Sequence, residues 1–209
     1  MKTTLLASSG SFITAQNLDP ILPKKIVDCK IAYITTASKK VDDMSYVERQ
    51  RERMNEMGLS YTEIDIEGSN EEELRKILAG YDVVIVEGGN TFYLLKAIRE
   101  SGFESVIKDL IEEGVVYIGT SAGSYVACPS IIMATWSNRG FDRCGVLDYT
   151  AMNLVPFLVK AHYVSEDLKE LEENTKDLQY QVRPITDDQA ILVRDEEIEF
   201  LGEGEEVII

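Results

Sequence analysis

Short apolar runs alternate with longer amphipathic stretches through the first two thirds of the chain, the pattern of strands joined by crossover helices in a parallel sheet. The runs Thr3 to Ala7, Ile31 to Thr35, Tyr61 to Ile64, Val83 to Val86 and Val115 to Ile118 read as strands. Between them, Asp43 to Met57 and Glu71 to Leu78 carry helical charge and apolar spacing, while Thr91 to Arg99 and Glu104 to Glu112 read as two helices broken at Ser101-Gly102. After about Arg183 the texture changes. Ala190 to Val193, Ile198 to Leu201 and Val207 to Ile209, separated by Asp195-Glu196-Glu197 and Gly202-Glu203-Gly204, predict a closing antiparallel meander. The charged run Glu166 to Asp177 fits either a solvated helix or a mobile loop. No internal repeat, low-complexity tract or Pro, Gly or Ser linker divides the chain, so the pattern predicts one domain over residues 1–209. Its fold class is α/β, an open and mostly parallel sheet flanked by helices on both faces, closed by the C-terminal antiparallel meander.

Composition narrows the function. Among 209 residues there are 21 Lys plus Arg against 37 Asp plus Glu, a net charge of −16 that repels phosphate backbones and anionic lipid surfaces. Nucleic acid and membrane partners are therefore not expected. Cys29, Cys128 and Cys144 are odd in number and show no Cys-Xaa-Xaa-Cys spacing, which points to reduced thiols in a cytoplasmic protein and to no metal site. The N-terminus has only a three-residue apolar run, far short of a signal peptide core, and no later stretch reaches the length of a membrane span. His162 is the sole histidine, which excludes a di-histidine zinc centre.

The candidate chemistry starts at Gly119-Thr120-Ser121-Ala122-Gly123, which matches the Gly-Xaa-Ser-Xaa-Gly turn that lifts a serine hydroxyl above the end of a sheet. A buried-strand run precedes it, and Ala122 to Ala127 can begin a helix after it, as that turn requires. The alternative is a glycine-rich connection that tolerates a serine. A serine hydroxyl is nearly inert at neutral pH unless a base takes its proton, and His162 is the one imidazole available. It follows Val155 to Val159, which reads as a strand ending near the same sheet edge. Such a base needs an acid to hold its tautomer, and the residues leave four carboxylates open: Asp187 and Asp188 before the strand at Ala190, and Asp142 and Asp148 between serine and histidine. Cys128, seven residues after Ser121 and on the same helical face, reads as core packing and not as a thiol nucleophile.

A second glycine turn, Val86-Glu87-Gly88-Gly89-Asn90-Thr91-Phe92, also joins a strand to a helix. Glycines there let backbone N–H groups approach a phosphate, a carboxylate or an oxyanion, so Gly88, Asn90 and Thr91 are candidate substrate-binding positions. The alternative is a tight turn with an Asn cap. No third glycine at dinucleotide spacing and no Gly-Lys-Ser or Gly-Lys-Thr follows, so no cofactor is expected.

Taken together, Glu87 to Phe92, Tyr117 to Gly123 and Ala127-Cys128-Pro129-Ser130-Ile131 resemble the serine peptidase family of α-aspartyl dipeptidase (peptidase E) and cyanophycinase. Lys160-Ala161-His162-Tyr163 is similar to the family's histidine segment, and Thr186 to Ile191 to its acid segment. The resemblance implies a class I glutamine amidotransferase-like fold, with Ser121 as nucleophile, His162 as general base and Asp187 as orienting acid, where the dipeptidases carry Glu. It also implies an oxyanion hole from the backbone N–H groups of Gly89 and Ala122. The family's arginine-bearing segment after the histidine is replaced here by Lys169 to Lys176, without arginine, leaving Lys169, Lys176, Arg139 or Arg183 to hold an acidic substrate group. The expected activity is therefore a serine exopeptidase or dipeptidase acting on short peptides, as monomer or homodimer, with aspartyl specificity left open. An esterase or amidase using the same residues, and a non-catalytic small-molecule binding module of the same fold, are the alternatives.

Overall fold

Among residues 1–136, 142 and 144–209, which the computed structural model describes, the apolar runs form nine strands. They are β1 (Thr3–Ala7), β2 (Lys30–Ile34), β3 (Ser60–Ile64), β4 (Val83–Val86), β5 (Val116–Thr120), β6 (Leu158–Lys160), β7 (Val182–Pro184), β8 (Ala190–Arg194) and β9 (Glu197–Leu201). The helices are α1 (Gly10–Ala15), α2 (Ser45–Glu56), α3 (Glu71–Leu78), α4 (Thr91–Ser101), α5 (Phe103–Glu112), α6 (Ala122–Ala127) and α7 (Leu168–Thr175). Seven strands make one sheet in the order β3-β2-β4-β5-β1-β8-β9. The first five are parallel, and β8 and β9 close the sheet antiparallel, as the alternation predicts.

Strand residues alternate between two cores. Leu6, Ile34, Val84, Val86 and Tyr117 face one layer with α3 to α6, whereas Leu5, Ile31, Tyr33, Ile85 and Ile118 face the other with Phe12, Ile13 and Met54. The central strands β4, β5 and β1 are buried along their whole length, which is why they read as continuous apolar runs. Helix α3 shows which force docks the crossovers. Its Glu71–Arg75 and Glu72–Lys76 pairs are exposed and screened by water, whereas burying Leu74 and Leu78 contributes about 1.5–3 kcal/mol apiece.

Two expectations are corrected. The strand before the histidine is displaced to β6 and pairs with β7 in a separate two-stranded parallel sheet, because Val155 and Phe157 are used as core residues ahead of it. The third strand of the meander, Val207 to Ile209, does not form on β9. Gly202 turns the chain across Asp188 and Gln189, Gln189 Nε2 donates to the Glu203 carbonyl at 2.6 Å, and Ile209 instead exchanges both backbone hydrogen bonds with Val182 of β7. The run Glu166 to Asp177 resolves into a helix, α7, preceded by a single 3-10 turn and anchored by buried Leu171.

Candidate active site

The carboxyl ends of β1, β4 and β5 lie side by side, where open α/β sheets bind their ligands. After β5 the chain reverses into α6 through Ser121, whose φ of 47° and ψ of −105° put a non-glycine residue in a conformation that L-residues rarely adopt. Its N–H donates to the Ala7 carbonyl at 3.1 Å and its carbonyl accepts from Tyr125 N–H at 3.0 Å, so the turn is held from both sides. Glycine is required around it. A Cβ at Gly119 would lie 2.6 Å from the Gly123 backbone, and one at Gly123 would lie 2.0 Å from the Val86 carbonyl oxygen. Cys128 closes α6, fully buried, with its thiol donating to the Ser124 carbonyl. Burial pushes that thiol up to about 12, so it carries almost no thiolate at neutral pH. Iodoacetamide should leave Cys128 unmodified in the native protein and label it in concentrated urea; stoichiometric labelling of native Cys128 by mass spectrometry would contradict this placement.

His162, two residues past β6, adopts φ 57° and turns its ring toward Ser121. Nε2 lies 2.9 Å from Ser121 Oγ and Nδ1 lies 2.6 Å from Asp187 Oδ1. With Nδ1–H donated to the carboxylate, Nε2 is left as the acceptor for the serine proton, an arrangement able to generate an oxygen nucleophile. The Asp187 side chain is 59% exposed, so water covers part of the carboxylate and burial alone does not orient it. Ser8 Oγ reaches the same Oδ1 at 2.9 Å and also accepts the His162 N–H at 2.7 Å. Of the other carboxylates, Asp188 makes no side-chain hydrogen bond to a described residue. Asp142 accepts from Cys144, Gly145 and Val146 N–H in its own turn. Asp148 accepts from Thr150 N–H and pairs with Arg99 at 3.3 Å, and these contacts hold its carboxyl below the usual range.

The second glycine turn closes the other side. A Cβ at Gly88 would lie 3.1 Å from Ser121 Cβ, so this backbone packs directly on the serine. Gly89 has φ 142°, and a Cβ there would meet the Ala37 carbonyl at 2.4 Å. The N–H groups of Gly89 and Ala122 make no hydrogen bond to another described residue. Asn90 caps α4 by accepting from Tyr93 N–H at 2.9 Å, and Thr91 is buried in the first turn of that helix.

Beneath the turn lies a buried carboxylate that sequence reading left without a role. Glu87 Oε1 accepts from Gly88 N–H and from Thr120 Oγ1, both at 2.7 Å, and Oε2 accepts from Tyr33 OH. Burial first, then the adjacent carboxylate, pushes the Tyr33 phenol far up, so it remains a donor. The signal for Glu87 was an acidic residue ending an otherwise apolar strand; Ser8, after Ala7, gave none.

Among the candidate cations, Arg183 is mostly buried, pairs with Glu206 and stacks over Phe157 at 4.9 Å. Lys169 and Lys176 are exposed on and just after α7, and Arg139 lies outside the described residues. Among the described residues no group of three His, Cys, Asp or Glu side chains could hold a metal ion, and no helix is long and apolar enough to cross a membrane.

The family model described as Peptidase family S51 matches residues 4–201. An uncharacterized peptidase of Pasteurella multocida is 33% identical over 200 residues, covering 94% of this chain and 95% of that protein. A peptidase E of Nostoc is 31% identical over 136 residues, covering 65% of this chain and 53% of its own length. The crystal structure of a protein from Listeria monocytogenes assigned to peptidase E superposes with a TM-score of 0.82 at 29% identity, covering 98% of this chain and 100% of that one. On the family match and on a relative that spans nearly its whole length, the chain belongs to peptidase family S51 and is a peptidase, similar to peptidase E.

Proposed function

We propose that the chain is a serine exopeptidase or dipeptidase that cleaves short peptides through an acyl-enzyme, with Ser121 as nucleophile, His162 as general base and Asp187 as the orienting acid. The observation that carries this reading is the hydrogen-bonded chain Ser121 Oγ, His162 Nε2, His162 Nδ1 and Asp187 Oδ1. In the first step Ser121 Oγ bonds to the scissile carbonyl carbon as its proton passes to Nε2. The carbonyl oxygen becomes an oxyanion facing the Gly89 and Ala122 N–H groups, which have no hydrogen-bond partner among the described residues and so suit that role. Collapse breaks the C–N bond, and the imidazolium returns its proton to the leaving amine. Water then repeats the sequence on the ester and releases the second product.

An acidic N-terminal residue is not required by this reading, because Arg183 is occupied by Glu206 and the net charge of −16 opposes anionic substrates. The test is covalent labelling by an activated fluorophosphonate, followed by intact-mass measurement. Wild type should gain one adduct at Ser121 and Ser121→Ala none while keeping its circular dichroism; undiminished labelling of Ser121→Ala would sink the assignment.

A further inference from the structure

The carboxyl end of β1 touches every member of the Ser121, His162 and Asp187 chain. The Ala7 carbonyl accepts the Ser121 N–H, and Ser8, next in sequence, is fully buried. Ser8 Oγ accepts the His162 N–H at 2.7 Å and lies 2.9 Å from Asp187 Oδ1. A backbone N–H can only donate, so the serine proton is left for the carboxylate, and one hydroxyl satisfies both neighbours at once. The Ser8 N–H donates to the Gln189 carbonyl at 3.3 Å, two residues beyond Asp187, which ties the acid's own loop to β1.

We infer that Ser8 is a positioning residue for the hydrolysis: its hydroxyl holds the backbone of His162 and the carboxylate of Asp187 in fixed relation to each other and to the sheet that carries Ser121. The inference rests on the reading of these three residues given under the proposed function. Two features make such a clamp necessary. His162 sits at φ 57°, a conformation that persists in a non-glycine residue only when its surroundings fix it, and the N–H bond to Ser8 does so. Asp187 is largely exposed, and the Ser8 hydroxyl gives the oxygen that faces the imidazole a donor fixed in the buried end of β1. Ser8 does not touch the reacting atoms and acts through the two residues that it holds.

The experiment compares wild type, Ser8→Ala and Ser8→Cys by steady-state kinetics on a short peptide and on a simple activated ester. It adds ¹⁵N NMR of the imidazole, which as the only histidine gives one unambiguous signal set. Ser8→Ala is expected to lower kcat about ten- to a hundredfold, with KM within about threefold, as loss of orientation and not of binding demands. The NMR should show a reduced fraction of the Nδ1–H tautomer. If Ser8→Ala does not accumulate as folded protein, Ser8→Cys, of similar size and a weak donor, gives the reading: at least a fivefold fall in kcat supports the inference. A folded Ser8 variant with wild-type kcat, or a slower one with an unchanged tautomer ratio, overturns it. Fluorophosphonate labelling of wild type at Ser121 is scored separately, so failure of the nucleophile assignment is distinguishable from failure of the Ser8 clamp.

Discussion

His162→Ala is expected to lower kcat/KM on a short peptide by about three orders of magnitude or more while leaving the fold intact. General-base catalysis by a positioned side chain is worth ~10²–10⁴-fold, and in the proposed mechanism the same imidazole also protonates the leaving amine. With one histidine in the chain, no second imidazole can substitute. The ring is only partly buried, so its removal leaves no large cavity and thermal unfolding should move little. The acid is tested alongside. Asp187→Ala should lose at least about a hundredfold in kcat, because Nδ1 then has no carboxylate to hold its proton. Asp188→Ala should stay within about twofold, since its side chain makes no hydrogen bond to a described residue. Steady-state kinetics decides: full activity in His162→Ala would remove the base, and a loss confined to Asp188→Ala would move the acid by one residue.

Glu87→Ala is expected to cost stability more than any other single change at the site. The substitution leaves three donors, Gly88 N–H, Thr120 Oγ1 and Tyr33 OH, without their carboxylate in a region closed to water. Each orphaned buried donor costs ~1–3 kcal/mol, and Gly88 N–H keeps only the 3.1 Å contact with Thr120 Oγ1. For the two donors left with no acceptor the sum is about 2–6 kcal/mol, a large fraction of the ~5–15 kcal/mol that holds a domain of this size together. Glu87→Gln should cost less than ~2 kcal/mol, because its carbonyl can keep Gly88 and Thr120 while the amide donates to a reoriented Tyr33 hydroxyl. Urea unfolding followed by circular dichroism measures both. Equal midpoints for wild type and Glu87→Ala would show that the buried network contributes nothing net.

Much of this was readable in the chain. The strands β1 to β5 and helices α2 to α5 fall where the apolar periods put them, because each segment's burial is declared by its own neighbours in sequence. The signature of the serine turn is equally local: Gly119, Ser121 and Gly123 sit within five residues, although the crowding that demands glycine at 123 comes from Val86 at the end of the neighbouring strand β4. The histidine strand pairs elsewhere than its pattern predicts because Val155, Val159 and their neighbours are apolar in either sheet, and hydrophobicity does not name a partner strand. Val207 to Ile209 failed similarly, since the turn at Gly202 is directed by contacts with Asp188 and Gln189, not by its own composition.

By itself, then, the sequence determined an acidic α/β chain with a serine turn, an opposing glycine turn and a single imidazole, all properties carried by residues close together or by simple count. Only the tertiary structure decided which of four aspartates meets that imidazole, and that Ser8 and Glu87 support the site from below. Those contacts join residues 25, 33, 41, 154 and 179 positions apart. At such separations no local spacing rule applies, and hydrogen-bond geometry at the ends of β1, β4 and β5 makes the selection.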